Sequence, residues 1–497
     1  MRHIFLQKGR QLFVDDFLIN KTNLERTFHV PEPYKFNPVL EPKEEWEKTG
    51  IGALYAAPFS DGVWYDESER GFKMWYMAGA GNQYPSLENA FYTCYAESDD
   101  GIHWKKEFRD VIPDTNVVDC TIRDAATIWL DKMDRQPNKR YKMFLTNRRS
   151  EGKDSRLMLK YSSDGIHWSP PKAISGKIRD RFSAYFDPFQ SRWVVSLRHE
   201  TSDAIKTRTY ATNVDPEKLV EGIGKSEEKF WFGPDGTEPR HPRFPEIHPG
   251  IYNFDVIAYE SIYLGYYTIW QGPTNEMAEE LGIHKRNEVI LGFSRDGNSF
   301  SKTDHPVFFG VDETPGSWNY GNVQSYNGSP IVVGDFLYFY FSGRRRNDIM
   351  WDSHMSTGLA RLRRDGFVSL RAEKEDGFLI TNLFDFTGEF LFVNANMSKG
   401  ILKVEVLNDQ LEVIPGFSKD DCLPMCKNDT KYRIRWETKE SLLSIASKSI
   451  VLKFYVEKGA LFSFWFSPYI TGESLGFTAG GGPALHWSGR DLPPDKD

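Results

Sequence analysis

A seven-residue phrase occurs twice. Ser98-Asp99-Asp100-Gly101-Ile102-His103-Trp104 returns as Ser162-Ser163-Asp164-Gly165-Ile166-His167-Trp168. A weaker copy is Ser294-Arg295-Asp296-Gly297-Asn298-Ser299-Phe300, and a weaker one still is Arg364-Asp365-Gly366-Phe367. Copies of one turn, separated by short β-rich runs, are the mark of a radially repeated sheet architecture. The spacing predicts an all-β chain: a five-bladed β-propeller followed by a C-terminal β-sandwich.

The runs between the copies support this. Residues 62–78 and 91–96 read as antiparallel strands around a polar turn, and so do 125–146 and 157–161. A third set covers 182–187, 192–198 and 207–212, a fourth 254–270 and 288–293, and a fifth 321–325, 336–342 and 357–362. The phrase stops after about residue 370, where longer alternating runs begin. The expected division is therefore a propeller over 1–375 and a sandwich over 376–490. Residues 5–29 are expected to supply a strand that closes the last blade and hides its edge, and 489–497 to be disordered. The segments 234–250 and 271–286 read as insertions that cover one side of a pocket.

At 497 residues the chain holds a large core. Its net charge of -8 comes without a basic tail or stripe, so nucleic acid is not the expected partner. No run is long and apolar enough to insert in a membrane. Residues 1–11 carry no hydrophobic signal core, so the chain is cytoplasmic, or periplasmic or secreted if a leader has been removed. The four cysteines form neither a disulfide framework nor a zinc pattern, although Cys422 and Cys426 are close enough to pair. No cofactor motif is present.

The repeated residues do what every blade needs, so His103, Trp104, His167 and Trp168 are read as structural. Chemistry is sought in polar residues that break the repeat. Strands ending in Asp66, Asp131 and Asp187 set a register that places Asp124 and Asp180 seven residues before the last two. Arg123 precedes Asp124 and Arg181 follows Asp180, while Asp61 lies at a similar level. Further along are Asp255, Glu260 and Glu288. Carboxyl groups gathered at one end of an axis must be paired, or one must hold a proton. A glycosidase needs that arrangement, with one acid for the leaving oxygen and one carboxylate to attack or to activate water. The same residues also fit simple strand capping. Trp318, Asn319, Tyr320 and Asn322 form a polar-aromatic cluster suited to a sugar-binding wall or to packing, and His241 lies in the first insertion. Arg344-Arg345-Arg346 is either a solvated loop or a contact for an anionic sugar.

These residues resemble the five-bladed propeller glycosidases, the group that includes the family 32 and family 43 enzymes acting on fructosides, arabinosides and xylosides. Gln11-Leu12-Phe13-Val14-Asp15-Asp16, Phe72-Lys73-Met74-Trp75-Tyr76, Ser294-Arg295-Asp296-Gly297 and Ser317-Trp318-Asn319-Tyr320-Gly321-Asn322-Val323-Gln324 are similar to phrases of a large bacterial branch of that group. The resemblance implies a blade-one Asp as nucleophile or base, a blade-two Asp that stabilises the transition state, and a later Glu as acid. Arg123-Asp124 resembles the group's Arg-Asp-Pro motif, with Ala125 in place of proline. No Asp-Pro-Asn-Gly stands in blade one, so Asp61, Asp15 or Asp16 takes that place, and Asp180 stands where a Glu-Cys motif is expected. The implied partner is an oligosaccharide or polysaccharide, cleaved from a chain end. A non-catalytic carbohydrate-binding protein is the alternative, and a lyase or metal-dependent enzyme on the same fold is a third.

Overall fold

The computed structural model describes residues 1–47, 54–79, 90–147, 155–225, 228–283, 285–302, 306–326, 328–345 and 354–494. The chain is nearly all β, with two short α-helices, Pro216–Gly222 and Asn275–Leu281, among the described residues. Among the described residues no helix is long and apolar enough to cross a membrane.

Five sheets follow one another along the chain, each built on an antiparallel meander that opens on a buried strand, and the fifth also takes Leu54–Tyr55 in parallel. These lead strands are Val63–Asp66, Arg123–Leu130, Phe182–Asp187, Gly250–Glu260 and Asn322–Tyr326. Each sheet touches the next near its lead strand. Ile128 N–H donates to the Asp61 carbonyl at 2.5 Å, and the Trp64 indole donates to the Ile128 carbonyl at 2.9 Å. Ala184 N–H donates to Thr127 Oγ1 at 3.3 Å, and the Ser183 hydroxyl to the Phe254 carbonyl. Asn287 Nδ2 donates to Asn322 Oδ1 at 3.1 Å, and Phe59 N–H returns to Ser342 Oγ on the fifth sheet at 2.9 Å. Apolar residues of these sheets form the largest core, including Trp75, Ile128, Tyr259 and Phe339.

The repeated phrase has one geometry in its first three copies. Ser98, Ser162 and Ser294 each accept from the glycine N–H of the turn at 2.9 Å. Asp100, Asp164 and Asp296 each accept two further backbone N–H groups at 2.8–2.9 Å. The glycines hold φ of +73°, +79° and +74°. The first two turns also clasp a neighbouring sheet: Tyr340 Oη donates to the Gly101 carbonyl and Trp75 Nε1 to the Gly165 carbonyl, both at 2.7 Å. The Arg364 copy is different. There Asp365, rather than the glycine, takes positive φ (58°), and its carboxylate is buried against Arg10.

Two more sheets take strands from both ends of the chain. One orders Asn428–Arg433, Phe390–Asn396, Gly459–Ser467, Val368–Ala372 and Glu25–Phe28, with Gln11–Leu12 also on Gly459–Ser467. The other orders Ile19–Thr22, Gly377–Thr381, Val451–Glu457 and Ile401–Leu407. Residues such as Phe13, Leu379, Val404, Phe454 and Phe464 fill a second core. From Ile401 to Val406 burial alternates from residue to residue, the period-two signature of a half-buried strand.

The strand expected from 5–29 to close the fifth sheet goes elsewhere. Ile19–Thr22 and Glu25–Phe28 join the last two sheets, and Glu32–Pro33 pairs with His354–Arg363 instead. The separation expected at residue 375 is crossed in both directions, since Phe477–Thr478 pairs back onto Gly250–Glu260. Nor is the tail loose at its start: Thr478 N–H donates to the Gly489 carbonyl, and Asp491 is buried against Arg364. Cys422 and Cys426 are both free, the first buried and the second exposed.

Candidate active site

The lead strands begin at one end and finish at the other, and the two ends differ chemically. At the finishing end Asp66, Asp131 and Asp187 close the turns, accepting from following backbone N–H groups and from Tyr141, Lys142 and Tyr263. Glu260 also lies at this end. It is wholly buried, takes φ of +51°, and meets Arg10 at 3.4 Å and Arg364 at 3.2 Å. Its expected place among converging catalytic carboxylates is therefore corrected to a junction of the two halves of the chain.

At the starting end the other candidates gather. Arg123 Nη1 and Nη2 donate to the two oxygens of Asp61 at 2.7 Å each, and Nη1 also reaches Thr93 Oγ1 at 3.0 Å. Both residues are 0% exposed, so neither reaches solvent. Burial pushes the Asp61 carboxyl up to about 6 against the pull of Arg123. A substrate cannot touch Asp61 directly, and Arg123, expected to grip substrate, is spent on this pair.

Asp124 and Asp180 are reachable, their side chains 22% and 36% exposed. Arg181 follows Asp180 in the chain and contacts both. Its guanidinium is 3.6 Å from Asp124 Oδ1, 4.9 Å from the Phe59 ring and 5.9 Å from the Tyr252 ring, while its N–H donates to Asp180 Oδ1 at 3.0 Å. Arg198 Nη1 contacts both Asp180 oxygens at 2.7 Å, and its guanidinium lies 5.6 Å from the same Tyr252 ring. Burial alone would raise the Asp180 carboxyl, but Arg198 and Arg181 more than offset it, so Asp180 is held below the usual carboxylate range.

Asp255 lies deeper on the fourth lead strand, 3% exposed. Asn253 Nδ2 donates to its Oδ2 at 3.0 Å and to Ser60 Oγ at 2.7 Å. Burial pushes Asp255 up to about 7, against its hydrogen bond from Ser60 and the charge of Arg208. Arg208, itself 0% exposed, is bonded to Ser196 and the Tyr252 carbonyl, and burial lowers it to about 9.

Glu288 opens the third strand of the fourth sheet and is held by Gln271 at 2.8 Å and Arg286 at 3.0 Å. His241 sits near Arg286, which with burial keeps its imidazole low; its Nδ1 accepts from Arg243 N–H at 3.0 Å. Trp318 packs on Phe341 at 5.4 Å and covers Gly343 and Gly358, where a Cβ would enter its ring. Asn319 donates to the Gly310 carbonyl at 3.2 Å, and Tyr320 N–H caps a turn on the Ser317 carbonyl. Asn322 bonds Asn287 and the Lys285 carbonyl. Asn319 and Asn322 thus fix the fifth sheet against the fourth, while Trp318 packs within the fifth.

Sequence reasoning missed Arg198 and Tyr252, which tie Asp124 and Asp180 together. Arg198 lies on the second strand of the third sheet, where its backbone N–H donates to the Arg181 carbonyl at 2.9 Å, and that pairing with the lead strand brings it beside Asp180. Among the described residues no three His, Cys, Asp or Glu side chains gather as metal ligands.

No family model and no curated protein sequence matches this chain. Solved structures do resemble it. One called a glycoside hydrolase is 11% identical, with a TM-score of 0.43 over 67% of this chain and 92% of its own. A β-1,2-mannobiose phosphorylase from Listeria innocua is 14% identical, with a TM-score of 0.42 over 67% of this chain and 96% of its own. A glycosyl hydrolase from Bacteroides ovatus is 15% identical, with a TM-score of 0.42 over 72% and 97%. Scores that low fix no common topology, so the reading of the site rests on its own geometry.

Proposed function

We propose that the protein is a glycoside hydrolase in which the five meandering sheets are the blades of a five-bladed propeller, followed by a β-sandwich. The observation that carries this reading is the meeting of Asp124 and Asp180 around Arg181, Arg198 and Tyr252 at the starting ends of successive lead strands. Two reachable carboxyl groups in one polar-aromatic site are the equipment for cleaving a glycosidic bond.

Asp180, held ionised by Arg198, is the carboxylate that attacks the anomeric carbon or activates water. Asp124 serves the leaving oxygen. Asp61 and Arg123 keep the floor of the site rigid, Phe59 backs the Arg181 guanidinium from within, and Tyr252 offers an aromatic face to the sugar. The insertion carrying His241 and the one carrying Asn275–Leu281 close one side, which suits attack at a chain end. The substrate class is an oligosaccharide or polysaccharide.

One observation favours a second reading, a carbohydrate-binding protein without turnover: Asp61, Asp124 and Asp180 each face an arginine. Such pairing would leave no proton donor. Incubation with a broad panel of plant, algal and host oligosaccharides separates the two. Released sugar, lost in Asp124→Asn and Asp180→Asn, supports the hydrolase; binding without release supports the alternative. Aryl glycosides with good leaving groups assign the roles, since Asp124→Asn should retain their cleavage and Asp180→Asn should not.

A further inference from the structure

Four arginines at the site each have a carboxylate. Arg123 has Asp61, Arg181 has Asp124, Arg198 has Asp180 and Arg286 has Glu288. Arg208 has none among the described residues, but it is wholly buried and bonded to Ser196 and the Tyr252 carbonyl, whereas three half-buried cations beside these also lack one. Among the described residues no carboxylate lies within ion-pair distance of Lys206, Lys285 or Arg344, although all three are half-buried.

These three continue the site from the third sheet to the fifth. Lys206 opens the strand Lys206–Asn213 and lies opposite Glu200 in register, but Glu200 is taken by Arg198 and Arg179. The Lys206 ammonium instead sits 3.5 Å from the centre of the Trp270 ring, and its stem packs on Gly250, where a Cβ would come within 2.9 Å of it. Lys285 is fixed through its carbonyl, which accepts from Asn322 Nδ2 at 2.9 Å. Asn322 pairs in register with Arg344. Arg344 Nη2 donates to Tyr55 Oη at 2.9 Å, its guanidinium lies 5.6 Å from the Tyr55 ring, and its Nε is buried with no partner.

Three cations held close without a counter-charge repel one another, and partial burial removes the water that would screen them. The strain shows in the lysines: burial first, then Arg198, lowers Lys206 to about 8, and burial with Arg344 and Arg198 lowers Lys285 as well. An anion would relieve both costs, and an oxyanion can accept from ammonium and guanidinium donors together.

We propose that Lys206, Lys285 and Arg344 form a subsite for an oxyanion carried on the sugar, a carboxylate or a sulfate ester. This rests on the glycoside reading only for what carries the anion. Binding and hydrolysis therefore need separate readouts.

The test is calorimetric titration of the full chain with matched pairs: uronic-acid oligosaccharides against their methyl esters, and sulfated oligosaccharides against desulfated ones. Inorganic phosphate is a third arm. The expected result is at least about tenfold tighter binding of the acidic member of one pair, weakened by salt. That preference should be lost in Lys206→Met and in Lys285→Met. Equal affinity within every pair overturns the subsite. So does saturable binding of phosphate without preference among the sugars, which would assign the cations to a free anion. The wild-type comparison needs no variant, so a misfolded mutant does not blunt it. Acid-selective binding without sugar release would keep the subsite and discard the hydrolase; release without charge preference would do the reverse.

Discussion

Arg123 holds both oxygens of Asp61 at 2.7 Å in a pair closed to solvent. Such a pair stabilises little relative to an apolar replacement, but breaking it strands a buried charge. Arg123→Met should destabilise the fold by about 3–5 kcal/mol. The double variant Arg123→Met with Asp61→Leu should recover much of that loss. Denaturant unfolding of both variants checks it; a single variant as stable as wild type would refute the buried pair.

Asp255 makes a prediction about pH. Its carboxyl lies at about 7 in the fold against an ordinary 3.8, so the folded state binds the proton more tightly. The associated stability is fully present below the unfolded value and is lost as pH rises toward the folded one. Asp61, raised to about 6, adds to the same trend. Asp255→Asn should therefore gain on wild type across that window, by on the order of 1 kcal/mol per pH step. Unfolding free energies at acid, weakly acid and neutral pH read the slope, and parallel profiles would count against it.

Glu260 and Arg364 join the two halves of the chain, with Ser474 Oγ donating to Glu260 at 2.6 Å and Arg364 meeting Asp491 at 3.1 Å. Arg364→Ala should lower stability by about 3–5 kcal/mol while leaving kcat of the surviving folded protein within about twofold. Loss of kcat without loss of stability would return Glu260 to the chemistry.

Gly165 tests the repeated turn. It holds φ of +79°, and a Cβ there would enter the Trp75 ring. Gly165→Ala should cost about 1–3 kcal/mol in thermal or denaturant unfolding, with KM unchanged. An unaffected midpoint would mean that the turn does not clasp its neighbour.

The repeated phrase was legible because its chemistry is local: a serine, an aspartate and a glycine bond within seven residues, so three copies share one geometry. The fourth copy misled because Asp365 is set by long-range partners, Arg10, Tyr259 and Ser463. Asp124 and Asp180 could be placed by counting back seven residues from Asp131 and Asp187, which close their turns, whereas Glu260 could not: its strand runs the whole depth of the sheet, Gly250–Glu260, and its two ends serve different purposes. Arg198, Tyr252 and Lys206 escaped notice because their role follows from pairing across strands, and sequence spacing carries no trace of that. The N-terminal strands were assigned to the wrong sheet for a related reason. A short closing strand needs few residues, and Glu32–Pro33 supplies them just beyond the stretch that alternates.

The central claim is that Asp124 and Asp180 do the chemistry. The most direct measurement is sugar release from the oligosaccharide panel by wild type, Asp124→Asn and Asp180→Asn, each shown to be folded. Wild-type release that falls by about 10²–10⁴ in each variant is the predicted result. Release that survives both substitutions would contradict the site.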